Sequence, residues 1–465
     1  MGIFNEFFKK EKPVFTGLKF GFGSGGGGAA VESVTLATGG TVSQPGNGYA
    51  YHHFDGVADI YTSNVNNDTI FANYSLETRS VGQFGFASPV AKSYCLVLKS
   101  AQETVDVRTQ NTGGSTSGVY SFWYSLDNGS TFSPHPSTHT GSMNGGTAVT
   151  IGPHPSPYGG VTHVVYSRGA NGNRYYWAPT PVATFVPNGP KTIDIVMTGG
   201  GGGGGGTSGG GAGGLVHYAN KAVTTGTITF AIGVGGLHGP GAAPGADQVG
   251  ADSTLSGPDF PATITAKGGG GGGSFNVSDL PSANKNGGSG GGGYSDAGGS
   301  NQGPGGPATQ PSQNPTYTPL SDFNQYGSNG GAGSTKIGYI AGGGGGGAGG
   351  VGLGLPGPNV PNGDYDAANA VPGGPGQAIS GFEYALWGRP DLEPLSPSNN
   401  HFGGGGGGRP NTGPTESVGG NGGGGSSGGP ENNVVHGIPI LGGGAGGGNS
   451  NGAGGSGGVV IRYAL

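Results

Sequence analysis

Strict alternation of apolar and polar residues marks the places where this chain can form half-buried strands. Thr192–Thr198 (Thr-Ile-Asp-Ile-Val-Met-Thr) puts Ile193, Ile195 and Met197 on one face, and Thr227–Val234 does the same with Ile228, Phe230, Ile232 and Val234. Ala262–Lys267 reads as a shorter strand, and Val459–Leu465 (Val-Val-Ile-Arg-Tyr-Ala-Leu) as a last one. A strand needs a partner, so the terminal run is expected to return to the small sheet begun at Thr192. Earlier in the chain, Val31–Leu36, Tyr94–Lys99, Thr104–Arg108, Val119–Ser125, Val161–Ser167 and Arg174–Trp177 are rich in β-branched and aromatic residues. Gly, Asn, Pro and Ser separate them and no helical period intervenes, which predicts a β-sandwich or jelly roll over residues 31–180. Ile3, Phe4, Phe7 and Phe8 alone fall at helical spacing, and Pro13 ends that stripe.

Between the later strands the pattern gives way to glycine. Gly contributes 116 of 465 residues, much of it in the runs Gly199–Gly206, Gly268–Gly273, Gly290–Gly293, Gly342–Gly347, Gly403–Gly408 and Gly422–Gly425. Gly loses more backbone entropy on ordering than any other residue, so such runs are either flexible linkers or are held by something other than side chains. No Gly-X-Y period exists, which excludes collagen. The recurrence of runs around distinct segments favours extended polyglycine II helices, about three residues per turn, packed side by side and bonded through their main chains. The expected organisation is therefore all-β: a docking peptide over 1–20, a Gly-rich linker over 21–30, the β-sandwich or jelly roll over 31–180, and a domain over 181–465. That last domain combines a small sheet with packed polyglycine II helices and is closed by 459–465.

Composition narrows the function classes. Hydrophobic residues are 32%, charged residues 9%, and the net charge is −6. A polar, weakly charged surface without a basic stripe argues against nucleic acid and suits an exterior surface. No apolar run of membrane-spanning length occurs, and Glu6, Lys9 and Lys10 interrupt any signal-peptide core. Assembly in a cytoplasm for display on a particle is the expectation. The aromatic stripe of residues 1–20 is too short to bury itself. Docking onto another protein is the preferred reading, with a membrane-surface helix and intramolecular packing as alternatives. Cys95, the single cysteine, sits in the apolar strand Tyr94–Leu98 and reads as a small core residue.

Catalytic patterns are weak. Gly287–Gly291 and Gly454–Gly458 match Gly-x-Ser-x-Gly, but in low-complexity runs without a strand–turn–helix context. Carboxylates are few and scattered, so no paired acid and base is visible. His135, His139, His154 and His163 read as loop histidines, and Asp364-Tyr365-Asp366 lacks calcium-loop spacing. No enzyme activity, metal or cofactor is expected. Ser125-Leu126-Asp127-Asn128-Gly129-Ser130-Thr131-Phe132 resembles an Asp-box, whose role is that of a hairpin tip.

Aromatics punctuate the polar segments between Gly runs. Tyr317, Phe323, Tyr326, Tyr365, Phe382, Tyr384, Trp387 and Phe402, with Arg389, are candidate receptor contacts, because Tyr and Trp offer rigid area with a polar tip. The other role open to them is to cap the bundle and pack on Gly faces. Trp387, flanked by Tyr384 and Arg389, is the expected hot spot.

The passage Thr184–Gly189, Ile193–Met197, octaglycine and Gly-Gly-Gly-Ala-Gly-Gly-Leu-Val, with the ending Gly-Gly-Ser-Gly-Gly-Val459-Val460-Ile461-Arg462-Tyr463, resembles the glycine-rich domain of bacteriophage tail proteins. The Gly blocks with variable segments between them are similar to the tip adhesins of T-even-type phages. The opening Gly-Ile-Phe-Asn-Glu-Phe-Phe-Lys-Lys resembles the N-termini of cyanophage virion proteins. The resemblance implies a tail-fibre or adhesin protein of the virion exterior, docked to other virion proteins through Ile3, Phe4, Phe7 and Phe8. It would bind a host-surface glycan or outer-membrane protein, and a homotrimer is among the assemblies it allows. A structural head or tail decoration is the alternative, and a polysaccharide depolymerase a third reading.

Overall fold

The structure, a computed structural model, describes residues 36–55 and most of the chain from 182 onward; between 74 and 178 it describes chiefly strand backbone. Residues 1–35, 56–73 and 80–92 lie outside the described residues. So do shorter stretches up to 181, residues 395 and 397, and the segments 237–247, 274–283, 295–302, 311–322, 334–340, 355–370, 410–416, 428–435 and 449–451. The expectations for the docking stripe, the Gly-rich linker and the strand at Val31–Leu36 all fall there, except for Leu36 itself.

The chain is all-β. Strands β1 (Thr41–Ser43) and β2 (Tyr49–Asp55) come first. The inserted region follows with β3 (Tyr74–Arg79), β4 (Ser93–Gln102), β5 (Val105–Gln110), β6 (Gly118–Ser125), β7 (Ser133–Pro134), β8 (His139–Gly141), β9 (Ala148–Ile151), β10 (Val161–Ser167) and β11 (Arg174–Ala178). Next are β12 (Val182–Phe185), β13 (Lys191–Thr198), β14 (Leu215–Val223), β15 (Ile228–Ala231), β16 (Ser253–Ser256) and β17 (Ile264–Ala266). The last are β18 (Phe323–Tyr326), β19 (Gln377–Ala378), β20 (His401–Phe402) and β21 (Gly458–Ala464). The inserted strands form two antiparallel sheets, β3-β4-β10-β6-β7 with β8 on β6, and β11-β5-β9. Five runs read from the sequence in this region correspond to β4, β5, β6, β10 and β11. The Asp-box is a hairpin tip between β6 and β7. Asp127 accepts the Thr131 hydroxyl at 2.6 Å, the Thr131 N–H at 2.8 Å and the Ser125 hydroxyl at 2.8 Å, contacts that lower its pKa to about 2.

The central sheet runs β1-β2-β21-β13-β14-β18. The terminal strand does return, pairing β13 through Met197↔Val459 on one side and β2 through Phe54↔Val459 on the other. The assignment of residues 41–55 to a separate domain over 31–180 is corrected by this pairing. Residues 41–55 belong to the central sheet, and the inserted strands interrupt that domain rather than precede it. β2 went unread because its Tyr-Ala-Tyr-His-His-Phe run places two histidines among its apolar residues.

Alternation divides this sheet between two cores. Ile193, Ile195, Met197, Val216, Tyr218, Phe54, Val459, Ile461 and Tyr463 face the second sheet, β12-β15-β16-β17, whose Phe185, Ile228, Phe230, Leu255 and Ile264 complete that core. Tyr51, Val196, Leu215 and Val460 face the other way, into a second core described below. On the first side His52 links the two ends of the domain. Its Nδ1–H donates to the Gly39 carbonyl at 2.7 Å, so Nε2 accepts from the Tyr463 hydroxyl at 3.1 Å, and that hydroxyl in turn accepts the Ala37 N–H at 3.0 Å. This arrangement uses neutral imidazole. Burial pushes the His52 pKa down, the Gly39 bond opposes the shift, and Lys191 and His53 add to it. Since the folded pKa lies below the unfolded one, the stabilisation is complete above the ordinary histidine pKa and is lost as pH falls through the depressed value. The thermal midpoint is therefore expected to fall between about pH 8 and pH 5, with a shallower slope in His52→Gln. Half-buried His217 and His401, shifted the same way by desolvation, leave a residual slope, and an unchanged pH profile in the variant would count against the assignment.

The Gly runs are ordered and bonded to one another. Gly199, Gly202 and Gly205 donate to the carbonyls of Gly214, Gly211 and Ser208; Gly200 and Gly203 to Ala251 and Gln248; Gly201 and Gly204 to Gly455 and Gly452, all at 2.7–3.0 Å. Donors three residues apart therefore serve the same neighbour, which is the signature of a helix with three residues per turn. The carbonyls of this tract accept from three further segments: Gly200 and Gly203 from Gly269 and Gly272, Gly202 and Gly205 from Ala445 and Gly448, and Gly201 from Gly236. One net hydrogen bond is worth about 1 kcal/mol, against about 1–2 kcal/mol for ordering a residue's backbone, so no tract is stable alone and the lattice forms as a unit. Gly422–Gly425 departs from the pattern. Gly422 and Gly423 have φ of 90° and 100°, so this run begins as a turn that only Gly makes without strain, and the tract resumes after it.

Candidate binding face

The tracts alternate in direction. Gly199–Gly205 leaves β13 and its antiparallel partner, residues 209–214, re-enters β14; the inward tract 342–348 runs parallel to 209–212, bonded from Gly209 to Gly343 and from Ala212 to Gly346. Tract 403–408 runs outward against 342–348, and 443–448 outward beside 202–205. Near the sheet the turns at 287–288, 348–350 and 421–423 are short, and residues 311–322 lie outside the described residues. At the far end the tracts stop at Gly236 and Gln248, Gly273 and Asn284, Tyr294 and Gly303, Gly333 and Ala341, Gly354 and Val371, Arg409 and Ser417, Ser427 and His436, Gly448 and Gly452. The chain between each pair lies outside the described residues, but every pair of ends is brought to the same end of the bundle.

Thr207 and Ser208 form the one described turn at that end and sit at its centre. The Thr207 carbonyl accepts the Arg409 N–H at 2.6 Å, and the Ser208 hydroxyl donates to Gly293 at 2.6 Å. Beside them Lys285 is only 4% exposed. Its ammonium donates to the Pro304 carbonyl at 2.8 Å and lies 5.8 Å from the ring of Tyr294, and burial pushes its pKa down. Thus Ser208 and Lys285 tie this end of the bundle to lattice carbonyls through their side chains.

The sequence-predicted contacts that the structure describes are not at this face. Tyr317 and Tyr365 lie outside the described residues. Phe323 and Tyr326 are on β18, paired with Tyr218 and Leu215. Phe382, Tyr384, Trp387 and Phe402 are at most 1% exposed and build the second core against Tyr51, Val196, Leu215 and Val460, at the sheet end of the bundle. Trp387 donates its indole N–H to the Phe382 carbonyl at 3.1 Å, stacks on Phe402 with centroids 6.4 Å apart, and meets Tyr384 edge-on at 5.9 Å and His53 at 5.5 Å. The Tyr384 hydroxyl donates to the His401 carbonyl, and burial raises its pKa to about 12. Arg389 forms a forked pair with Asp391, at 2.9 and 2.8 Å, and holds that carboxyl below the usual range.

The expectation of a loop-tip hot spot at Trp387 is therefore corrected: of the two roles open to these aromatics, segment 377–402 takes the cap. The physical reason is that the central sheet has two apolar faces and the Gly tracts carry no side chains to cover the second. The adjacent pairs Leu215-Val216 and Val459-Val460 were the signal, since neighbouring apolar residues on a strand point to opposite faces. The cap is locked by Arg462, which pairs with Asp194 at 2.7 Å, donates to the Gly381 carbonyl at 2.8 Å and stacks 4.8 Å from Phe382.

Ser289 and Ser456, the centres of the two Gly-x-Ser-x-Gly matches, are buried inside tracts. Among the described residues no group of three or more His, Cys, Asp or Glu is placed to hold a metal ion, and no helix is long and apolar enough to cross a membrane. His135, His154 and Asp364-Tyr365-Asp366 lie outside the described residues. A family model described as a glycine-rich domain matches residues 178–464, more than half of the chain. No curated protein and no solved structure matches it.

Proposed function

The chain belongs to the glycine-rich domain family, and we propose that it is an exterior protein of a bacteriophage particle, of tail-fibre or adhesin type, whose polyglycine bundle presents host-binding segments at its far end. The observation that carries this reading is the convergence of eight pairs of tract ends on one face, opposite the sheet and its aromatic cap. A main-chain lattice is a stiff mount. Segments fixed at both ends lose less entropy on binding, and their sequences vary without disturbing the frame, since the frame is held by backbone alone. The resemblance of the Gly blocks and closing strand to phage tail domains supports the same reading. Residues 1–20 would carry the chain onto other virion proteins.

The expected result is specific to the far end. Replacing residues 355–370 and 428–435 with Gly-Ser sequences of equal length should cut adsorption of the particle to host cells by about tenfold or more, while the amount of the protein on the particle and its thermal midpoint stay unchanged. Unchanged adsorption with both segments replaced would move the protein to the class of structural decorations.

A further inference from the structure

The period of three that organises the lattice also shows where it stops. In tract Val371–Gly376, Gly373 and Gly376 donate to Val418 and Asn421 at 3.1 and 2.8 Å, and Gly374 donates to Gly345 at 2.8 Å. The third direction belongs to Pro372 and Pro375, which have no N–H; Pro375 is exposed and Pro372 half-buried. Tract Gly303–Pro307 repeats this. Gly303 and Gly306 donate to Tyr294 and Gly291 at 3.1 and 2.7 Å, and Pro304 and Pro307, three apart, are exposed. Between these tracts lie two others. Tract Gly350–Gly354 has Val351 at 66% and Leu353 at 52% exposure, and tract Gly327–Gly333 carries exposed Asn329. On the far side of Val371–Gly376, Val418 is 63% exposed. By contrast Gly199–Gly206, Gly342–Gly347 and Gly403–Gly408 are wholly buried and bear no side chain.

An outer tract of a polyglycine lattice is the counterpart of an edge strand: its open donor direction is a template for a tract from another molecule. A second copy of this chain carries many such tracts. Proline removes the donor in that direction, and a side chain there hinders approach, because a Cβ added at most tract glycines lies under 3.0 Å from a neighbouring backbone atom.

We infer that Pro304, Pro307, Val351, Pro372 and Pro375 are edge stops, which end the lattice on this side and keep copies of the chain from joining through their glycine tracts. The residues act by what they withhold, an N–H, and by what they interpose, a side chain.

The test compares three variants with the wild type by sedimentation velocity over a range of concentrations, together with thermal unfolding. Pro372→Gly/Pro375→Gly/Val351→Gly and, separately, Pro304→Gly/Pro307→Gly open the edge. Pro372→Ala/Pro375→Ala restores the N–H but keeps a Cβ. The expected result is a rise of about twofold or more in weight-average mass for the Gly variants, reversed by dilution and with the unfolding transition retained, and wild-type mass for the Ala variant. The inference is overturned if both Gly variants keep the wild-type mass, or if the Ala variant associates equally. Irreversible precipitation of both Gly variants without an unfolding transition also overturns it, since the prolines would then be needed to fold the tracts rather than to end them.

Discussion

Gly345→Val is expected to abolish the cooperative unfolding of the glycine-rich domain. A Cβ at this position would fall within 3.0 Å of the Gly210 carbonyl, and the other five positions of Gly342–Gly347 are equally closed. The obstacle is main chain, so no rotamer change relieves it. The tract has to move, and with it go the bonds from Gly345 to Gly406, from Gly406 to Gly210 and from Ala212 to Gly346. Loss of several buried bonds together costs more than about 4–5 kcal/mol, a large part of the stability of an ordinary domain. Gly257→Ala is the contrast. There the nearest atom to a new Cβ is the Thr227 carbonyl at 3.2 Å, and φ is not in the left-handed region, so a change of less than about 1 kcal/mol is expected. Thermal unfolding followed by circular dichroism separates the two. A Gly345→Val protein that melts like the wild type would show that the tracts are not held by the bonds described.

Trp387→Ala should act through stability rather than through recognition. The side chain is fully buried, stacked on Phe402 and edged by Tyr384, in the core that covers Val196 and Val460 together with Ile440 and Leu441. Removing it leaves a cavity and an unpaired Phe382 carbonyl, a loss of about 3–5 kcal/mol. Trp387→Phe keeps most of the volume and should cost less. Urea unfolding measures the loss directly. Under the proposed function, adsorption of particles carrying the variant should fall only as far as folded protein on the particle falls. A variant of wild-type stability with weakened adsorption would restore Trp387 as a receptor contact.

The difference between the two halves of this picture was partly legible beforehand. Thr192–Thr198, Thr227–Val234, Ala262–Lys267 and Val459–Leu465 correspond to β13, β15, β17 and β21, because each sets apolar residues on one face for a sheet to cover. The return of the terminal strand followed from the need of a strand for a neighbour, and the order of the Gly runs from the absence of any other way to hold them. β2 and β14 were not read, since His52, His53 and His217 break the apolar pattern while being buried or half-buried in the fold. The aromatics of 377–402 read as surface because their local sequence is polar and Gly-rich.

By itself, the sequence determined the all-β class and the strands that alternate, and it favoured glycine runs bonded to one another over flexible linkers. Those are consequences of local periodicity and of what glycine lacks. Tertiary structure alone decided which end of the bundle is which, that residues 41–55 join the central sheet, and that Trp387 covers that sheet instead of facing outward. Each of these depends on which surface is left uncovered once distant segments pair. That surface is a property of the assembled sheet, with two apolar faces and one cover from the second sheet, and no local window of sequence contains it.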